Sequence, residues 1–95
     1  MSFLVVLRPV RADMAFEPTE SEREIVSDHY GYLVGLRGEG KLVVAGPSIV
    51  SGDTFGIGVL DVDDEDEARA IVVADPAVTR GAMTAEIRPF RIAVR

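Results

Sequence analysis

The sequence contains no cysteine and only one histidine, His29. Without cysteine, the chain has no disulfide bonds, no thiol nucleophile and no cysteine ligands for zinc or iron-sulfur clusters. Histidine is the residue type that ordinarily gains or loses a proton between about pH 5 and 8. We therefore expect proton-transfer chemistry, if there is any, to depend on His29, and we expect neither a metal site nor a cofactor.

Long apolar runs are also missing, and basic residues are outnumbered. The longest apolar runs, such as residues 3–7, are strand-sized and far short of the ~20 residues that cross a bilayer. No basic segment precedes the first apolar stretch, so we expect no signal peptide and a cytoplasmic location. Ten basic against sixteen acidic residues give a net charge of -6, the wrong sign for binding nucleic acid or anionic lipid. We expect neither as a partner.

The length and composition are those of an ordinary globular protein. The chain has 95 residues, of which 47% are hydrophobic and 27% charged. A chain of this length has enough apolar surface for one core and little for a second. We therefore predict a single domain over residues 1–95.

The N-terminal part predicts a strand, a loop and a helix. Residues 3–8 are rich in valine and leucine and end at Pro9, which favours a strand. Residues 9–19 are expected to form a loop. Thr19 and Glu22 have the spacing of a capping box, so a helix should begin there and end near the glycines at 38 and 40. One face of this helix carries Ile25, Val26, His29, Leu33 and Leu36.

The C-terminal part predicts a hairpin, a second helix and a last strand. Residues 41–45, closed by Gly46 and Pro47, and residues 54–60 are expected to pair across a turn at 51–53. Asp63 is the expected N-cap of the second helix, and Pro76 is expected to stop it after Asp75. Residues 84–94 have an extended pattern. Pro89 places that strand at a sheet edge or marks a bulge.

The order strand, helix, strand, strand, helix, strand is typical of a ferredoxin-like α+β fold, βαββαβ. In this architecture two helices cover one face of an antiparallel sheet and leave the other face to be buried in another way. The strand at residues 3–7 is apolar on both faces. We therefore expect a second copy of the chain to cover the open face, in a homodimer.

His29 and Asp75 are polar residues on the inward faces of the two predicted helices. A buried polar group without a partner costs roughly 1 to 3 kcal/mol, so we expect the two side chains to contact each other. A carboxylate bound to one ring nitrogen would fix the imidazole and leave the other nitrogen free for proton transfer. The same pair could instead be purely structural, because Asp-Pro is a common helix stop and lone histidines on apolar faces are usually packed.

Two further residues are candidates for substrate binding. An anionic substrate would need a nearby arginine, and of the scattered candidates we take Arg8; the others are Arg11, Arg37, Arg80, Arg88 and Arg91. Ser48, after Gly46 and Pro47, could hydrogen-bond a ligand at the mouth of a pocket, although a turn-stabilising role is favoured for it. Tyr30 and Tyr32 are expected to pack rather than to line a cavity.

Two other patterns do not indicate a site. The stretch Gly56-Ile57-Gly58 is too short for a dinucleotide-binding fingerprint and enters a strand. The acidic run from Asp61 to Glu67 lacks the glycine and the terminal glutamate of a calcium loop, so helix capping explains it better.

Several short motifs occur in the order in which they are found in the YciI-like (YCII-related) family. They are His29 with Tyr32, Leu33 and Leu36, then Gly40-Lys41-Leu42, Ala45-Gly46-Pro47, Glu67-Ala68, Ala74-Asp75-Pro76, Gly81 and Ile87-Arg88-Pro89-Phe90. The chain resembles this family from about residue 25 to its C-terminus. The helix histidine with the AGP and ADP elements is the most specific part.

The resemblance implies a ferredoxin-like domain, usually dimeric and related to the dimeric α+β barrel proteins. It also implies a pocket in which His29 and Asp75 are the catalytic residues, and a few relatives are lyases acting on chlorinated ring-cleavage products. We therefore expect metal-independent elimination or isomerisation of a small organic substrate. The alternative is a non-catalytic ligand-binding or assembly module. Ala77 stands where many relatives have an aromatic residue, which predicts a pocket of different shape there.

Overall fold

The computed structural model describes residues 1–95, which form four strands and three helices. In chain order they are β1 (Ser2–Pro9), α1 (Glu20–Gly38), β2 (Leu42–Ser48), β3 (Phe55–Asp61), α2 (Glu65–Val73), α3 (Pro76–Thr79) and β4 (Met83–Phe90). The strands form one antiparallel sheet in the order β2-β3-β1-β4, with the helices on one face. The predicted ferredoxin-like α+β fold is confirmed.

The core lies between the sheet and the helices and consists of two clusters. Alternate residues of β1 point toward the helices, and Phe3, Val5 and Leu7 are buried there. The first cluster also contains Leu36, Leu42, Leu60, Val62, Ala68 and Val72. The second, smaller cluster consists of Met14, Ile25, Ala77 and Ala82. Helix α1 contributes to both, so it fixes the position of the residues between them.

The N-terminus of α1 is held by the predicted capping box. Thr19 Oγ1 accepts a hydrogen bond from the Glu22 amide at 3.1 Å, and Glu22 Oε1 accepts one from the Thr19 amide at 2.8 Å. The guanidinium of Arg11, in the preceding loop, also binds the Glu22 carboxylate, at 2.7 Å. These contacts tie the loop to the start of the helix.

The Arg11 contact leads to a prediction about Glu22. The hydrogen bond from Arg11, followed by that from the Thr19 amide, lowers the pKa of Glu22 from its ordinary value near 4.5 to about 2. A lowered pKa in the folded state means that this contribution to stability is present above pH 4.5 and is lost as the pH falls through about 2. In an NMR titration, Arg11→Gln should raise the pKa of Glu22 toward 4.5, whereas Arg23→Gln should not. An unchanged pKa in Arg11→Gln would contradict this assignment.

Two boundaries differ from the sequence prediction in the C-terminal strands. β2 continues through Gly46 and Pro47 to Ser48 instead of ending at Ala45. It tolerates Pro47 because it is an edge strand. β4 ends at Phe90 and not at Val94, because Phe90 pairs with the first residue of β1. As Pro89 predicted, β4 is also an edge strand.

The second helix differs more. Its N-cap is Asp64 and not Asp63, since the Asp64 side chain accepts a hydrogen bond from the Glu67 amide at 2.8 Å. The helix ends at Val73 with Ala74 as its C-cap, two residues before Pro76. Pro76 is also the first residue of α3.

The sheet face opposite the helices is also rich in apolar side chains. Leu4 and Val6 of β1 lie on this face, together with Ile57 of β3 and Phe90 of β4, which are more than 40% exposed. None of the three helices is both long and apolar enough to cross a membrane.

Candidate active site

His29 lies on the inward face of α1, where the two core clusters meet. It follows Ile25, of the second cluster, by one helical turn and precedes Leu36, of the first, by two turns. Its side chain is only 12% exposed. The regular spacing of the apolar residues along α1 therefore brings the ring to the interior, with a small part at the surface.

Asp75 begins α3 and does not end the preceding helix. Its backbone is extended, and its Oδ1 accepts a hydrogen bond from the Ala77 amide at 2.8 Å, which makes it the N-cap of α3 with Pro76 at the first helical position. The residue is 5% exposed. Asp75 thus directly follows Ala74, the C-cap of α2, as expected, but it is also the N-cap of α3, which the sequence did not indicate. At a helix N-terminus, backbone amides stabilise the carboxylate.

The His29 and Asp75 side chains are in direct contact. His29 Nδ1 lies 2.7 Å from Asp75 Oδ2 and 2.8 Å from Oδ1. A carboxylate only accepts hydrogen bonds, so Nδ1 carries the hydrogen and Nε2 is the acceptor nitrogen of the neutral ring. Nε2 has no hydrogen-bond partner in the chain, and no buried side-chain nitrogen or oxygen lacks one. Nε2 is therefore accessible from outside.

Tyr32 connects α1 to the end of α2. Its hydroxyl donates a hydrogen bond to the Ile71 carbonyl at 2.7 Å. Burial, and to a smaller extent the charge of Asp75, raises the pKa of Tyr32. The hydroxyl therefore keeps its proton and this hydrogen bond at neutral pH, and Tyr32 helps to fix the segment that leads to Asp75.

A cleft of about 990 Å³ opens between α1 and the half of the sheet formed by β2 and β3, and both His29 and Asp75 line it. Of its 33 lining residues, 21 are hydrophobic, which suits a small, largely apolar organic molecule. Tyr30 and Tyr32 line it too, so the expectation that they pack rather than line a cavity is wrong. Tyr30 is 70% exposed, and Tyr32 lines the cleft while it also packs against the first core cluster. Ala77 is completely buried in the second core cluster and does not line the cleft.

The two residues predicted to bind substrate do not share the position of His29 and Asp75. Arg8 lies on the sheet face opposite the helices, where it is paired with Thr84 of β4, and its guanidinium is 5.5 Å from the centre of the ring of Phe55, a residue that lines the cleft. Ser48 is exposed at the end of β2. Neither lines the cleft. The structure therefore brings His29 and Asp75 together, whereas strand alternation turns Arg8 to the other sheet face. Ser48 lies between two residues that do line the cleft, Pro47 and Ile49.

Two arginines line the cleft instead, Arg23 and Arg37 of α1. Neither forms an ion pair, whereas Arg11, Arg69, Arg80, Arg88 and Arg95 all do. Arg37 was among the sequence candidates for binding an anionic substrate, whereas Arg23 was not. Its position near the start of α1 indicated a role other than helix stabilisation, because the helix dipole disfavours a cation near an N-terminus.

The chain is similar to known proteins in sequence and in structure. The sequence profile described as the YCII-related domain matches residues 1–91. The chain belongs to the YCII-related family. Its structure is similar to that of 5-chloro-2-hydroxyhydroquinone dehydrochlorinase from Burkholderia phenoliruptrix AC1100, solved in complex with 2,5-dihydroxybenzoquinone, with a TM-score of 0.76 over 96% of this chain and 94% of that one. At 19% identity this likeness shows the fold alone. A comparison with curated proteins gives no match.

Proposed function

We propose that this YCII-related chain is a small-molecule enzyme that transfers a proton through His29, with Asp75 as the residue that orients it. The observation that carries the proposal is the position of Nε2. Asp75 holds the His29 ring through Nδ1. Nε2 is accessible, and His29 lines a large apolar cleft. A general base needs both features, a fixed ring and a free acceptor atom within reach of a substrate.

The chemistry that fits is elimination or isomerisation next to a carbonyl or phenol. Nε2 takes a proton from the substrate, and Asp75 stabilises the imidazolium that forms. The electron pair released from the C–H or O–H bond forms a new double bond. In an elimination, a leaving group such as chloride departs with its own bonding pair. In an isomerisation, the imidazolium returns the proton to another carbon.

The surroundings indicate the kind of substrate. The cleft is mostly apolar, and its two arginines without ion partners, Arg23 and Arg37, favour a ligand with an anionic group. The structurally similar dehydrochlorinase, by its name, acts on a chlorinated hydroquinone. We therefore propose a small ring compound that carries a phenolate, an enolate or a carboxylate.

We also propose that the working form is a homodimer. The face of the sheet that carries Leu4, Val6, Ile57 and Phe90 has no helix over it, and two of these side chains are more than 40% exposed. Packing against a second copy would bury them.

The binding or assembly module is the second candidate. Asp75 caps α3 and holds His29, and the pair is largely buried, as expected for two residues that fasten α1 to the segment before α3.

An activity screen separates the two candidates. The protein is incubated in D₂O, without oxygen, with 5-chloro-2-hydroxyhydroquinone and a panel of unsaturated lactones and small unsaturated acids. We expect chloride release or deuterium incorporation above the protein-free rate with at least one compound, detected with a chloride electrode and by NMR. Thermal stabilisation by a compound without either reaction would support the binding module. A panel that neither reacts nor stabilises the protein would contradict the enzyme and the ligand-binding module and would favour the assembly module.

A further inference from the structure

Two glycines of β3 face the helices. In β3 the residues on the helix side of the sheet are Gly56, Gly58 and Leu60, which pair with Leu7, Val5 and Phe3 of β1. The partners on β1 and Leu60 are all buried apolar side chains of the first core cluster. Gly56 and Gly58 interrupt this surface, although β3 is a central strand, flanked by β2 and β1.

The backbone does not require either glycine. Only Gly40, Gly52 and Gly81 have positive φ angles, so Gly56 and Gly58 have conformations that other residues adopt. There is also room for a side chain. A Cβ atom at Gly56 would lie 3.8 Å from Leu7 Cβ, and one at Gly58 would lie 3.7 Å from Leu42 Cδ1, which are ordinary contact distances. Glycine within a strand costs roughly 0.5 to 1 kcal/mol relative to alanine. Folding alone would therefore favour alanine at both positions.

Both glycines line the same cleft as His29. A glycine in a strand interior often marks a place where a ligand approaches the backbone closely. The Cα atoms of alternate residues in a strand are about 6.8 Å apart, roughly the width of a six-membered ring. Without side chains, the two residues contribute only backbone to the cleft lining, Gly56 half-buried and Gly58 buried, with Leu7, Leu42 and Ala45 as the nearest side chains.

We propose that Gly56 and Gly58 are specificity-determining residues that form the floor of a subsite for one face of a flat, unsaturated ring. A planar ring can bring all of its ring atoms into close van der Waals contact with the bare backbone, whereas the axial hydrogens of a puckered, saturated ring hold its carbons farther away. This inference deepens the proposed function, since it names the shape of the substrate, and it rests on the cleft being the substrate site.

A matched pair of probes tests the floor, namely benzoate and cyclohexanecarboxylate, which have the same carboxylate and the same number of carbons but a flat and a puckered ring. Binding is followed by NMR titration of the ¹⁵N-labelled protein. We expect the wild-type protein to bind benzoate more tightly and the Gly56 and Gly58 amide signals to shift. Gly58→Ala and Gly56→Ala should each weaken benzoate binding by about tenfold or more, the effect of one misplaced methyl group in a pocket.

Gly31→Ala is the matched control. Its Cβ would meet nothing within 4 Å, and the residue does not line the cleft, so benzoate binding should not change. All three alanine variants should melt at or above the wild-type temperature. Equal affinity for the two probes, unchanged benzoate binding in both floor variants, or no benzoate binding up to its solubility limit would each overturn the proposal. Because the titration needs no turnover, the two proposals can fail separately. Turnover without a preference for benzoate would contradict only the proposed glycine floor, and a preference for benzoate without turnover would contradict only the proposed enzyme activity.

Discussion

Asp75→Ala is expected to lower the free energy of unfolding by about 2 to 4 kcal/mol. The substitution removes the acceptor of two donors at once, the Ala77 amide at the start of α3 and His29 Nδ1. Each donor is in or near the core, where a lost partner costs roughly 1 to 3 kcal/mol. For a domain of this size the melting temperature should fall by about 10 °C or more, which thermal or urea denaturation measures.

Two variants show whether this loss comes from the buried hydrogen bonds. Asp75→Asn keeps an oxygen for the Ala77 amide and offers an amide group to His29, so it should cost only about 1 kcal/mol. Asp28→Ala also breaks a contact from α1, the exposed ion pair of Asp28 with Arg80 at 2.9 Å, and should cost less than about 1 kcal/mol. If Asp75→Ala were no more harmful than Asp28→Ala, the buried pair would not contribute as described.

Local features of the fold were predictable because the residues that determine them are close together in the sequence. The start of α1 depends on Thr19 and Glu22, three residues apart, and both hydrogen bonds of the capping box are present. The edge position of β4 was predictable from Pro89, since a proline has no amide hydrogen to donate to a neighbouring strand.

Boundaries were less predictable where two neighbouring residues suit the same role. Asp63 and Asp64 are both good N-caps, and Glu67 interacts with both, through its side chain with the Asp63 amide and through its own amide with Asp64. Only the path of the backbone selects Asp64. Likewise, Asp75-Pro76 suits the end of one helix and the start of another. The sequence does not show that a new helical turn begins there.

The candidate site was predictable only in part, for the same reason. His29 and Asp75 could be paired in advance because each is a polar residue on an inward face. The two glycines of β3 could not be assigned to the cleft, because their position depends on which strand face meets α1. Strand register places Gly56 and Gly58 on the helix side and Arg8 on the other, and register comes from the packing of the whole sheet.

His29→Asn is expected to reduce turnover by a factor of about 10² to 10⁴ in whichever reaction the wild-type protein performs, because positioned general acid-base groups contribute about that much. The asparagine amide can donate to Asp75 in place of Nδ1 but has no atom at the position of Nε2, so the fold should remain while the proton-transferring atom is lost. Asp75→Asn should also reduce turnover with little unfolding, since its amide would donate to Nδ1 and place the ring hydrogen on Nε2, which then cannot accept a proton.

The control is Asp28→Asn on the exposed side of α1, which should leave turnover unchanged. Turnover within a few-fold of wild type in His29→Asn would exclude His29 as the catalytic base, and loss of turnover together with unfolding in both variants would favour a structural pair that fastens the two segments.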